Sequence, residues 1–186
     1  PTAIDRSLFE QTDIAWRLRV PSGLVDVQDR FAGDHAMDVA GTIGDFTVAT
    51  KEGLPSYQLA VVVDDARQGI DRVVRGDDLL SSTPRQRLLY ASLGLAPRPA
   101  YWHLPLVVGT DGRRLAKRHG DTRLDTYRTA GVAPERIVGL LAEWSGCGPR
   151  RERTAAELVS HWTIEQTPHK QVIFTAADHQ WLMSGA

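Results

Sequence analysis

The 186 residues carry 22 basic against 23 acidic side chains, a 42% hydrophobic share and a single cysteine, Cys147. That balance excludes a polybasic nucleic-acid tail, an acidic disordered chain, an internal disulfide and a zinc site built from paired thiolates. No apolar run approaches the roughly 20 residues of a membrane span, so the chain reads as a globular domain suited to a reducing cytoplasm. It opens on Pro1 with no basic-then-apolar leader, and further protein is expected upstream.

Taken in chain order, Ala15 to Val20 alternates apolar and polar residues as a half-buried strand does, and Pro21-Ser22-Gly23 ends it. The Gly- and Asp-rich stretch from Asp29 to Gly44 reads as an irregular connector. Residues 45–50 and 56–63 flank the turn segment Lys51 to Pro55 and predict a β-hairpin. Its second strand is continuously apolar, as in a sheet covered on both faces. A short helical piece over 66–70 and a strand over Arg72 to Arg75 follow. Thr83-Pro84 supplies an N-cap and first-turn proline for a helix with an apolar side of Leu88, Leu89 and Leu93, stopping at Gly94. Residues 101–108 return to strand composition and run into the turn Gly109 to Gly112. Everything downstream reads as helical: one helix opened by Pro134 and closed by Gly146, one capped by the pair Thr154 and Glu157, and one starting near Thr175. The order predicts an α/β fold, the second half of a nucleotide-binding Rossmann-like unit followed by a small helical module.

Charge is segregated along the chain. Residues 1–65 carry 5 basic and 11 acidic groups, residues 66–153 carry 16 and 9, and residues 154–186 carry 1 and 3. A basic middle suits a phosphate-bearing partner, or is a solvated surface. Its densest point is the glycine-bounded run 109–120, where Arg113, Arg114, Lys117 and Arg118 face one acid, Asp111. Cations crowded in a loop repel one another until an anion arrives, which is a way to clamp a polyphosphate. Lys117 is one of only three lysines beside nineteen arginines, and a compact ammonium fits a crowded phosphate. The six histidines do not pair at metal spacings, and His103 reads as a packing residue. Asp64-Asp65 and Asp77-Asp78 read as strand-end and capping acids.

Four blocks, Ser56 to Asp65, Val74 to Gln86, Leu104-Pro105-Leu106 and Arg114 to Asp121, together resemble the latter half of a class I glutamyl-tRNA synthetase catalytic domain, in matching order over about Phe46 to Gly146. The resemblance implies a division into residues 1–45 as a connective segment, 46–110 as the second half of the catalytic domain, and 111–186 as the KMSKS-like loop with a helical module similar to a stem-contact fold. It implies that Arg114, Leu115, Ala116, Lys117 and Arg118 form the ATP-binding loop, with Lys117 the key lysine and magnesium expected with the nucleotide. It implies that Tyr57 and Arg75 bind glutamate. Arg114 keeps the charge of the family's first lysine, and Ala116 lacks the family's serine hydroxyl. The ammonium at 117 and the guanidinium at 75 are expected to serve one cleft.

Two branches share these blocks. The chain ends 69 residues after Lys117, and this short tail resembles the glutamyl-Q tRNA(Asp) synthetases, which activate glutamate with ATP and pass it to the queuosine base of tRNA(Asp). tRNA(Asp) is therefore favoured over tRNA(Glu) as acceptor, and a monomer is expected. The family's HIGH-type motif and the zinc ligands of some relatives are not among these residues, so the isolated piece is expected to be unable to adenylate glutamate. The alternatives are a fragment of an enzyme charging tRNA(Glu) and a noncatalytic tRNA-binding module of synthetase descent.

Overall fold

A computed structural model of the chain describes residues 13–96, 98–115 and 122–184, and falls into two compact units, Pro1–His103 and Leu104–Ala186. In the first, β1 (Trp16–Leu18) pairs antiparallel with β4 (Phe46–Ala49), and β2 (Leu24–Val27) pairs antiparallel with β3 (His35–Asp38). The predicted first strand is present as β1. The stretch 29–44, predicted to be irregular, instead contains β3 and a one-turn helix α1 (Val39–Thr42), whose cap is the Asp38 carboxylate accepting from Gly41 N–H. Four-residue elements are too short to show a period, so glycine and aspartate are the only strong local signals there.

The predicted hairpin does not form. Residues Tyr57–Gln68 are a helix, α2, and β4 takes β1 as its partner. Ser56 accepts from Leu59 N–H at the front end, and Gly69 closes the back end with φ 68°, a conformation that glycine adopts without steric cost. Between these caps Leu59, Val62 and Ala66 recur at helical spacing and face the core. The β-branched run Val61-Val62-Val63 suggests a strand by composition, but burial of one helical face outweighs the few tenths of a kcal/mol that such residues cost a helix. Asp64 and Asp65 accordingly sit inside α2 and not at a strand end.

β5 (Arg72–Gly76) follows and lies beside β6 (Ala100–Leu104). Between them a 3₁₀ turn, Asp77–Ser82, runs directly into α3 (Thr83–Leu93), which ends on Gly94 at φ 63°. Asp77 and Asp78 occupy the first turn of the 3₁₀ segment. Val20, Val39, Phe46, Val62, Leu89 and Tyr90 form the core of this unit, the aliphatic and phenylalanine side chains contributing about 1.5–3 kcal/mol each. Leu93, predicted to lie on the apolar side of α3, is exposed.

In the second unit β7 (Val107–Val108) leads into a tight return: Gly112 N–H bonds to Gly109 C=O, Gly109 N–H to Arg113 C=O, and Leu115 N–H to Val107 C=O. Arg114 thereby bridges back to Val108. Pro105 separates β7 from β6, dividing what the sequence suggested was one strand. The helices are α4 (Leu124–Thr129), α5 (Pro134–Trp144), α6 (Ala155–His161) and α7 (Ala176–Met183). The region is not all helical, since β8 (Val172–Ile173) pairs parallel with β7. Thr154 with Glu157 forms the predicted reciprocal capping box, and a second one, Thr175 with Asp178, opens the helix expected near Thr175. Tyr127, Val132, Leu140 and Leu182 make the core, with Trp144 and Trp181 packed on it.

Gly139 in α5 is required by packing. A Cβ there would stand 1.9 Å from Arg151 C=O, so the helix can lie against the 151–153 segment only without a side chain. That contact also places Arg153, which donates to Cys147 C=O just beyond the C-terminus of α5, where the helix dipole favours a cation. Arg150 ties Glu143 of α5 to Asp178 of α7, and Arg136 stacks on Trp181 at 4.3 Å. No helix among the described residues is long and apolar enough to cross a membrane.

Candidate functional site

The strongest concentration of buried polar groups lies in the first unit around Arg75, at the end of β5. Its Nε donates to His103 Nε2 at 2.9 Å, and its Nη2 donates to Thr83 Oγ1 at 2.9 Å and Gln86 Oε1 at 2.8 Å, with Leu79 C=O at 3.4 Å. The guanidinium also lies over the Tyr101 ring, 5.4 Å from its centroid. Every one of these partners is uncharged. Among the described residues no carboxylate is ion-paired with Arg75, and Nη1 makes no hydrogen bond. Burial pulls the Arg75 pKa down, against the Tyr101, Tyr57, Asp65 and Asp29 side chains, which favour the cation. A guanidinium stays protonated through such a pull, so the cage holds a positive charge with one donor edge unspent.

Local structure explains the cage. Thr83, predicted to cap α3, is fully buried with its hydroxyl on Arg75, because the 3₁₀ turn ahead of α3 makes a side-chain cap unnecessary. Gln86, one turn later, donates its amide to Gln58 Oε1 while its own oxygen accepts from Arg75. Gln58 in turn donates to Ser82 Oγ. This chain of amides and hydroxyls joins α2 to α3 and fixes the direction of the Gln86 oxygen.

Behind Arg75 stands His103, only 1% exposed. Its Nδ1 meets Asp29 Oδ2 at 2.5 Å. Asp29 Oδ1 accepts the backbone N–H groups of Phe31, Ala32 and His103, while Arg30 N–H bonds to Tyr101 C=O and seats this segment on β6. Tyr101 stacks on the imidazole with centroids 6.0 Å apart, and burial pushes its phenol up to about 12, keeping it neutral. Burial would raise Asp29, yet hydrogen bonds from His103, Ala32 and Phe31 outweigh it and hold the carboxyl below its ordinary value. Burial lowers His103, assisted by the Arg75 charge and opposed by Asp29. Geometry agrees: Arg75 Nε can only donate, so Nε2 of His103 must carry a lone pair and the ring proton sits on Nδ1.

The sign of the pH effect follows. His103 resists protonation in the folded state, so the unfolded chain takes up that proton first. The stability contribution is full above the ordinary histidine value of 6.5 and is lost as the pH falls below it, at no more than about 1.4 kcal/mol per pH unit. The thermal midpoint of the wild type is expected to drop on acidification through that range, and His103→Gln is expected to flatten the drop; equal slopes in the two proteins would exclude His103 as its source.

The predicted glutamate-site residues Tyr57 and Arg75 share this neighbourhood. Tyr57 opens α2, half-exposed at 56%, and lies near enough to act electrostatically on Arg75. Of the predicted ATP loop, Arg114 and Leu115 sit on the return from β7. Ala116, Lys117 and Arg118 lie outside the described residues, as does the expected meeting of Lys117 with Arg75. Asp29, Thr83, Gln86 and His103 were not anticipated as site residues. Only His103 carried a signal: it alternates with Tyr101 on one face of β6, and a buried histidine in such a register calls for partners on both nitrogens.

Residues 3–180 match the family of tRNA synthetases class I (E and Q), catalytic domain. The chain belongs to that family. It is 45% identical over 171 residues to a glutamyl-Q tRNA(Asp) synthetase of Rhodopirellula baltica, covering 89% of this chain and 50% of that protein. A glutamate–tRNA ligase of Heliobacterium modesticaldum is 36% identical over 169 residues, covering 89% and 34%. Among solved structures, a glutamate tRNA ligase from Elizabethkingia meningosepticum, in complex with its amino acid, superposes with a TM-score of 0.78 at 25% identity, covering 94% of this chain and 39% of that one. The fold is thus that of a class I synthetase catalytic domain, as the sequence blocks suggested. The chain spans about half the length of the glutamyl-Q tRNA(Asp) synthetases it matches, and about a third of the glutamate–tRNA ligases.

Proposed function

We propose that this chain is part of a cytoplasmic, monomeric ligase that activates glutamate with ATP and transfers it to the queuosine base of tRNA(Asp). The observation that carries the reading is the Arg75 cage: a partly buried cation, held by neutral groups, whose Nη1 takes no hydrogen-bond partner among the described residues. Such a site rewards a carboxylate, because an incoming anion gains a charge-assisted hydrogen bond without displacing an internal partner. Tyr57, exposed at the start of α2 and close enough to act electrostatically on Arg75, is assigned a directed hydroxyl contact to the same ligand. Activation joins a glutamate carboxylate oxygen to the α-phosphorus of ATP while the bond to the β-phosphate oxygen breaks and pyrophosphate departs with the electron pair. Lys117, with Arg114, Leu115, Ala116 and Arg118 around it, stabilises the charge that builds on the phosphates. Magnesium enters as part of the nucleotide substrate.

The preference for tRNA(Asp) draws support from the higher identity to the glutamyl-Q relatives, 45% against 36%. A second reading, charging of tRNA(Glu), draws support from the glutamate–tRNA ligases that match the same residues. The assay is glutamate transfer by the full-length protein to tRNA(Asp) with and without queuosine and to tRNA(Glu). Transfer only to the queuosine-bearing tRNA(Asp) is the expected result. Charging of tRNA(Glu) would replace the first reading with the second, and glutamate-independent behaviour towards all three would overturn both.

A further inference from the structure

We propose that Asp29 and His103 are positioning residues for amino-acid binding, the carboxylate orienting a neutral imidazole whose Nε2 lone pair aims the Arg75 guanidinium. This inference rests on the reading of Arg75 as the glutamate anchor and adds what holds that anchor in place. Asp29 is 74 residues away from His103 in sequence, yet both side chains are fully buried and 2.5 Å apart. Asp29 is itself immobilised, its Oδ1 accepting three backbone N–H groups. A buried ionised carboxylate is costly unless it is hydrogen-bonded, and here Oδ1 accepts three backbone N–H groups while Oδ2 takes the imidazole Nδ1 and so fixes the orientation of the ring.

The arrangement places an uncharged ring between the acid and the guanidinium. Had Asp29 reached Arg75 directly, the pair would have been a closed salt bridge, and an incoming carboxylate would have had to compete with it. With His103 interposed, Arg75 Nε has an acceptor at 2.9 Å but no anion at its surface. The imidazole takes the Nε proton, Thr83 and Gln86 take those of Nη2, and Nη1 has no partner among the described residues. Orientation is supplied without neutralisation, which is what a site selecting glutamate over glutamine needs: a carboxamide in the same position would leave the cation unpaired. The charged and titratable groups around the ring are Asp29, Arg75 and His35, with the Tyr101 phenol stacked on it.

The test uses the full-length protein and two readouts, glutamate-dependent ATP–pyrophosphate exchange and the ring nitrogen shifts of His103. His103→Ala and Asp29→Ala are each expected to raise the glutamate KM about ten-fold with kcat and the ATP KM little changed, the size expected from misplacing one charge-assisted hydrogen bond. His103→Gln, whose amide oxygen can accept from Arg75 and whose nitrogen can donate to Asp29, is expected to recover most of the loss. The wild-type ring is expected to report a proton on Nδ1 alone at neutral pH. An unchanged glutamate KM in His103→Ala, or a ring protonated on Nε2, would overturn the relay while leaving the glutamate reading intact. Absence of glutamate-dependent exchange in the wild type would instead remove the reading on which the relay rests. Should the alanine variants fail to fold, His103→Gln and the wild-type ring spectrum decide the matter.

Discussion

Replacing Arg75 by lysine is expected to raise the glutamate KM of the full-length protein by about 100-fold or more, although the positive charge is kept. An ammonium is a compact point charge that cannot span His103 Nε2, Thr83 Oγ1 and Gln86 Oε1 together and still present a donor outward. A 100-fold loss corresponds to about 2.7 kcal/mol, within reach of one charge-assisted hydrogen bond and the unpaired buried acceptors left behind. The same substitution is expected to lower the thermal midpoint, since Gln86 and His103 are almost wholly buried. Kinetics and melting must therefore be measured on one preparation. A melted-down protein with an unchanged glutamate KM would make Arg75 a structural residue only. Arg75→Ala is expected to be worse on both counts, because it also leaves a cavity against Tyr101.

The second large effect is expected at Lys117. Replacing it by alanine in the full-length protein should lower kcat for glutamate-dependent ATP–pyrophosphate exchange about 100-fold, the size seen when one preorganised donor to developing charge is removed. Glutamate binding is expected to stay within about two-fold, because the lost interaction strengthens only as the bond to pyrophosphate breaks. Val108 and Val107 hold Arg114 and Leu115 through the return from β7. Lys117→Arg should recover part of the rate, keeping charge but not the compact shape. Equal weakening of glutamate binding would move Lys117 from the phosphates to the amino acid.

These two expectations have different origins. Lys117 stands out in the sequence by its rarity among arginines and by family resemblance. For Arg75 the sequence offered a strand-end arginine, more commonly a surface ion pair, and only the surrounding blocks suggested a ligand. Its neutral cage was not legible, since His103, Thr83 and Gln86 reach it from 8 to 28 residues away. Asp29 was farther still, within a segment whose glycines and aspartates suggested no structure.

What the sequence by itself determined is what neighbouring residues decide among themselves. Thr154 with Glu157, the start at Thr175, Pro134, and Gly94 after Leu93 each act within a turn or two, so α3, α5, α6 and α7 are legible directly. The helix over Tyr57–Gln68 reads as a strand in the sequence although both its caps are there, because the β-branched run Val61 to Val63 is a local signal while the spacing of Leu59, Val62 and Ala66 acquires meaning only with a core to face. Tertiary structure alone decided the partner of β4, the pairing of β8 with β7, and the line from Asp29 through His103 to Arg75. Each joins segments whose approach depends on docked strands and buried side chains, and no local propensity encodes a hydrogen bond across 74 residues.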